Sequence, residues 1–229
     1  MLAAAAWALL AASSLILGAF IAQRVAVPPR RVGEAMAFGA GALIGALAYE
    51  LVPNESLSDL EIWISFGAGA LVFYGLDGVI EGRSSGGSPG TAIALGALLD
   101  GIPESIVLGI SLALGGSVSV GFLVAVFVSN VPEGLSATSD MKTHTSSKRL
   151  YRMWSAIALV SAIAGGLGYA GARWLPGTDG RDIQAFAGGA VLTMLASSMV
   201  PEAYEEGGRR VALFTALGFA IAAILTTLD

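Results

Sequence analysis

The sequence predicts an all-α integral membrane protein in which eight transmembrane helices make up nearly the whole chain, with both termini outside. Three observations predict it. Of 229 residues, 55% are hydrophobic and only 13% charged, with a mean hydropathy of +0.76, a composition suited to lipid as solvent. The apolar residues fall into eight stretches of about 20 residues, the length that crosses a hydrocarbon core. The basic residues gather on alternate loops, as the positive-inside rule requires.

The first stretch, about 3–23, is expected to be a helix and not a cleaved signal peptide. It lacks a basic start, its apolar run is long, and its first basic residue, Arg24, follows it. The second and third, about 33–53 and 61–81, carry the glycine-rich runs FGAGALIGALA and FGAGALVFYG, which read as close-packing seams between membrane helices. The connector GRSSGGSPG, 82–90, leads to the fourth stretch, about 91–114, and the fifth follows at 117–139. A polar cytoplasmic loop is predicted over 138–152. The turn TDGRD, 178–182, separates the sixth stretch, about 153–174, from the seventh, about 182–204, and the eighth covers about 209–228. FGAGALIGALAYELVPN in the second stretch resembles FAGGAVLTMLASSMVPE in the seventh, a weak internal repeat of the kind found in transporters.

Orientation follows from lysine and arginine. Arg24, Arg30, Arg31, Arg83, Lys142, Lys148, Arg149, Arg152, Arg209 and Arg210 fall on loops of one side, leaving only Arg173 and Arg181 of the twelve for the other. The first side is cytoplasmic.

The same composition excludes several functions. No stretch remains for a soluble domain or a separate catalytic module. There is no cysteine, hence no disulfide, thiolate metal site or thiol nucleophile. The one histidine, His144, lies in the polar loop beside Asp140, as a solvated residue or a weak cytoplasmic metal contact. The net charge of −5, with its basic residues beside the membrane, points to no nucleic-acid partner. Neither the GxGD pattern of intramembrane aspartyl proteases nor an intramembrane serine–histidine pair is present, so no enzyme is expected.

Chemistry is concentrated in LLDGIPESIVLG, 98–109, and VSNVPEGLSATSD, 128–140. Asp100 and Glu104 stand four apart on one helix face, as do Ser129, Asn130 and Glu133 at spacings of three and four. If those faces oppose each other, five oxygen-bearing side chains converge. Every basic residue lies at a span end, so the acids must be protonated or must surround a cation. Pro103 and Pro132 strip the Leu99 and Val128 carbonyls of their helical donors, which kinks the helix and adds a free oxygen at each site. Glu50 and Glu202, near span ends, are weaker candidates, for the pathway or for snorkelling. Asp77 reads as interfacial, and Glu205 and Glu206 as solvated. Met199 is a weaker soft ligand; with Met36 and Met194 it is expected chiefly to pack.

These residues resemble the ZIP (Zrt/Irt-like) divalent metal transporters, most of all their GufA-like bacterial branch. The resemblance rests on SNVPEG and DGIPES, supported by LVPN and MVPE, and spans essentially the whole chain. It implies a ZIP-like bundle in which spans one, four, five and six move against two, three, seven and eight, often in a homodimer. It also implies uptake of a divalent metal ion as transported substrate (Zn, Mn or Fe), with no cofactor, across the inner cell membrane. Where the family reads H-N-x-P-E-G, this chain has Asp100 and Gly101 at the histidine and asparagine positions, Glu104 being retained. Ser129, Asn130 and Glu133 are compatible with the family's second motif. Span six lacks a bridging carboxylate. One principal ion is expected, held by Asp100, Glu104 and Glu133 with help from Asn130 and Ser129, and an all-oxygen set leans toward harder cations such as manganese or iron(II). A proton-coupled transporter of a non-metal solute on the same scaffold is the alternative.

Overall fold

The structure, a computed structural model, describes residues 1–51, 59–84, 89–115, 117–174 and 180–225, without the side chains of 50, 51, 80–84 and 89–94. Among the described residues it is all helical. The helices are α1 (Leu2–Arg24), α2 (Pro29–Ala46), α3 (Leu60–Ser84), α4 (Pro89–Gly115), α5 (Val120–Met141), α6 (Ser147–Trp174), α7 (Arg181–Met194), α8 (Val200–Gly207) and α9 (Val211–Leu225). Seven stretches are long and apolar enough to cross a membrane, the last being the 45-residue run Arg181–Leu225.

That last run doubles back. The α2 glycine Gly33 touches Ala203 and Gly207, whereas the segment Leu47–Leu51 beyond the far end of α2 meets α7, so α7 and α8 run against α2. From Gly33 beside Gly207, contact then moves through Gly41 beside Thr215 to Gly45 beside Ala222, so α9 runs with α2. The reversal falls at Gly208, whose φ of 62° favours a residue without Cβ.

Local chemistry accounts for several helix ends. Pro29 starts α2, where its missing N–H is no loss. The Ser119 hydroxyl accepts from the Phe122 N–H at 3.0 Å and caps α5. Lys142 Nζ donates to the Ala22 carbonyl at 2.9 Å, which binds the end of α5 to the last turn of α1. The polar stretch 138–152 is mostly helix rather than loop: α5 runs to Met141 and α6 begins at Ser147. Thr138 supports this extension, because its hydroxyl accepts from Trp154 Nε1 at 2.9 Å inside the core.

Both α4 and α5 continue through Pro103 and Pro132 without a break. The irregular turns lie elsewhere. The residues Leu47–Leu51 after α2 and Leu195–Met199 after α7 are π-helical. In the internal repeat these two turns coincide residue for residue, each just before a Val-Pro pair. The packing obeys the same relation. A Cβ at Gly41 would lie 1.9 Å from the Thr215 carbonyl of α9, and one at Gly189 would lie 1.9 Å from the Phe66 carbonyl of α3. Likewise Gly134 of α5 abuts Leu15 of α1, while Gly165 of α6 abuts Ser105 of α4. The two acidic motifs thus occupy equivalent places in a duplicated bundle. Small residues let the backbones touch.

Candidate functional site

Asp100 of α4 and Glu133 of α5 line one cavity of about 180 Å³, together with Asp140, Ser198 and Glu202. Two acidic motifs from different helices and the end of the seventh apolar stretch therefore meet at one place. The Ser198 hydroxyl lies 3.2 Å from Asp100 Oδ2 and 3.0 Å from the Met194 carbonyl oxygen, so its single proton is available to either acceptor. This serine sits in the π-helical turn Leu195–Met199. Such a turn widens the helix locally and recurs at functional sites.

A second group of oxygens adjoins the first. The Ser136 hydroxyl lies 2.8 Å from Glu202 Oε1 and 3.3 Å from Glu206 Oε1. Glu206 is half-buried, and its Oε2 is buried without a hydrogen bond. The expectation that Glu206 is merely solvated is thereby corrected: the α8 face that carries it turns toward Ser136. Glu202 lines the cavity while staying exposed to solvent. Asp77 is half-buried and within electrostatic reach of Asp100, closer to the site than an interfacial residue would be.

Not every expected ligand joins the cavity. Glu104 is 2% exposed and within electrostatic reach of Asp100 and Glu133, but it does not line the space between them. Ser129 turns its hydroxyl back to the Val126 carbonyl at 2.9 Å, the usual recourse of a helical serine. Its backbone is pressed against Gly39 of α2. Asn130 directs Nδ2 toward the Ala11 carbonyl of α1 at 3.5 Å. The convergence of five side chains expected from the two motifs is therefore partial: packing draws Ser129 and Asn130 toward α2 and α1. Met199 is buried in the apolar core with Met36 and Met194 and does not line the cavity. The Glu50 side chain lies outside the described residues. Among the described residues, no three His, Asp or Glu side chains are close enough to form a ready-made metal site.

The chain's departure from the H-N-x-P-E-G pattern has a structural counterpart. A Cβ at Gly101 would come to 3.1 Å from Ser161 Oγ of α6. This hydroxyl is fully buried and makes no hydrogen bond. Serine and glycine fill the place together, and an asparagine at 101 would require Ser161 to move.

Ser198 was not singled out in the sequence, and Asp140 only as a neighbour of His144. For Ser198 a signal existed: the register that lays Leu47–Leu51 on Leu195–Met199 puts Ser198 opposite Glu50, itself a candidate. Asp140 carried none, because α5 had to be longer than its apolar core for that residue to face the cavity.

Fold and site together define a class, a multi-pass helical membrane protein with an acidic cavity inside its bundle. Comparison with known proteins is silent on the particular family: no family model matches the chain, and no curated protein is significantly similar to it.

Proposed function

We propose that the chain carries divalent cations into the cytoplasm through the Asp100–Glu133 cavity, as a divergent member of the ZIP family. The observation that carries this reading is the lining itself. Four carboxylates from three parts of the chain share one cavity with no lysine or arginine among its lining residues. Asp140 and Glu202 are exposed, whereas Asp100 and Glu133 are half-buried; the two drawn away from solvent, with no base beside them in the lining, are stabilised by protonation or by a cation. Glu104, within electrostatic reach of both motifs, adds to the attraction. The space is wider than a bare ion and leaves room for retained water, which suits oxygen-ligated manganese or iron(II) as much as zinc.

The reading includes eight crossings, with α7 and α8 as the seventh and α9 as the eighth. The reversal at Gly208 supports that count, and the one-sided distribution of arginine and lysine supports termini outside an inner cell membrane. No nucleotide-binding sequence is present, so the gradient or the membrane potential drives uptake. The latter contributes roughly 2.3 kcal/mol per charge at 100 mV, and about twice that for a divalent ion.

The test is uptake of manganese, iron(II), zinc and cadmium by vesicles holding wild type or Glu133→Gln. We expect flux of at least one of these metals in wild type and a loss of roughly tenfold or more in the variant. Equal flux in both, or none for any metal, refutes the proposal.

One observation favours a second reading, proton-coupled movement of a non-metal solute: no three acids stand close enough to grip an ion among the described residues. Thermal stabilisation of purified protein by manganese, lost on Asp100→Asn with Glu104→Gln, decides for the metal.

A further inference from the structure

A groove of about 570 Å³ opens between α2, α5 and α9, within the roughly 300–1,000 Å³ typical of ligand sites. Its walls are Phe38, Phe127, Val131, Phe214 and Leu217, and its floor includes Pro132, next to Glu133. Its rim on α2 is charged, with Arg31 and Glu34. Glu34 is already engaged: Arg30 Nε lies 3.3 Å and Arg210 Nη1 3.9 Å from its Oε1. Two arginines outside the groove thus face the rim carboxylate, which leaves Arg31 as the cation at the groove's mouth. From Arg31 to Phe38 the groove descends about 10 Å along α2, at 1.5 Å per residue, from the basic end of the helix into its apolar middle.

The duplicated bundle supplies a control. A smaller crevice of about 220 Å³ lies between α3, α4 and α7, and its lining includes Phe186 and Pro103. Those two residues are the repeat counterparts of Phe38 and Pro132. Among the described residues, no charged side chain lines it. The same architecture therefore produces two apolar recesses beside the two acidic motifs, and among the described residues only one has a cation in its lining.

We propose that the α2–α5–α9 groove holds an acyl chain of an anionic phospholipid, with the phosphate against Arg31. Charge complementarity selects the occupant. A basic residue at the mouth of an apolar slot in a membrane-length bundle matches one phosphate attached to one hydrocarbon tail, and basic residues at the cytoplasmic surface favour anionic headgroups. Because Pro132 forms part of the floor, an occupied groove buttresses the α5 turn that carries Glu133.

The test is native mass spectrometry of the intact protein released from detergent with added phosphatidylglycerol or phosphatidylcholine. Wild type should take up its first phosphatidylglycerol about fivefold more tightly than phosphatidylcholine. Arg31→Gln, at an exposed position, should abolish the preference and keep phosphatidylcholine binding. Leu217→Trp, filling the half-exposed side of the groove, should weaken both lipids at least threefold. Val72→Trp, in the uncharged crevice, should leave the preference intact. Circular dichroism and melting check that each variant is folded. No preference in wild type, a preference that survives Arg31→Gln, or unchanged binding by Leu217→Trp overturns the proposal. So does a wild-type dimer that Leu217→Trp dissociates without altering lipid uptake, since the groove would then seat a second copy of the chain.

Discussion

Replacing Gly134 by alanine tests the packing that holds the acidic motif of α5. An added Cβ would stand 2.4 Å from the Leu15 carbonyl oxygen and 2.9 Å from the Leu15 Cα, where ordinary contact begins near 3.4 Å. Both are backbone atoms, so no rotamer change relieves the clash. Helices α1 and α5 must separate by about 1 Å. Overpacking of this kind costs about 1–3 kcal/mol, against which alanine recovers roughly 0.5–1 kcal/mol of helix propensity. The net loss of about 0–2.5 kcal/mol, centred near 1, corresponds to a fall of up to roughly 10 °C in melting temperature at this chain length. Gly75→Ala on α3 is the matched control. Nothing lies within 4 Å of its Cβ position, so only the propensity gain operates and the melting temperature should hold or rise by about 1–4 °C. The assay is thermal unfolding of purified protein in detergent, followed by circular dichroism. If Gly134→Ala melts at or above wild type, or Gly75→Ala falls as far, the backbone-to-backbone account of the α1–α5 contact is refuted.

Three further outcomes follow from the same geometry. Cation uptake into vesicles should decline as the external pH is lowered from 7.5 to 5.5, because protons compete with the metal for the same carboxylates; a flat or rising profile would contradict carboxylate ligation. Ser198→Ala removes the donor to Asp100, and since a hydrogen bond to a charged group contributes about 1.5–3 kcal/mol, half-maximal uptake should need roughly tenfold more metal, measured by concentration dependence of flux. Trp154→Ala empties a fully buried site and strands the Thr138 hydroxyl. The expected cost is about 3–5 kcal/mol, seen as a melting temperature lowered by roughly 6–20 °C.

The helices were legible because a lipid solvent leaves the chain few alternatives: backbone groups must be satisfied within each segment, so apolar length translates directly into helix. Even the repeat was readable by eye, and the paired π-helical turns at Leu47–Leu51 and Leu195–Met199 give it a structural basis. What one-dimensional spacing could not reveal is the rotation of each helix about its axis. Spacings of three and four correctly put Ser129, Asn130 and Glu133 near one another, yet the close approach at Gly39 turns Ser129 toward α2, and Asn130 engages α1. Glu133 alone of the three reaches the cavity. Conversely, Glu202 and Ser198 reach it from a helix more than sixty residues away, through a turn whose π-helical register no residue count announced.

Among the described residues, no base lines the cavity to balance its carboxylates. Three bases of the described residues are engaged elsewhere: Lys142 by the Ala22 carbonyl, Arg30 and Arg210 by Glu34. The groups that do touch the acids are hydroxyls, Ser198 on Asp100 and Ser136 on Glu202 and Glu206. A hydroxyl spreads negative charge without cancelling it. A lysine in the cavity would make a permanent ion pair, and pairing of that kind holds a buried carboxylate in one state. Hydroxyl partners leave the carboxylates free to gain or lose a proton, and, on the proposed function, to exchange it for a metal ion. Reversible neutralisation is what a passage for cations requires, and a purely structural ion-pair network would not provide it.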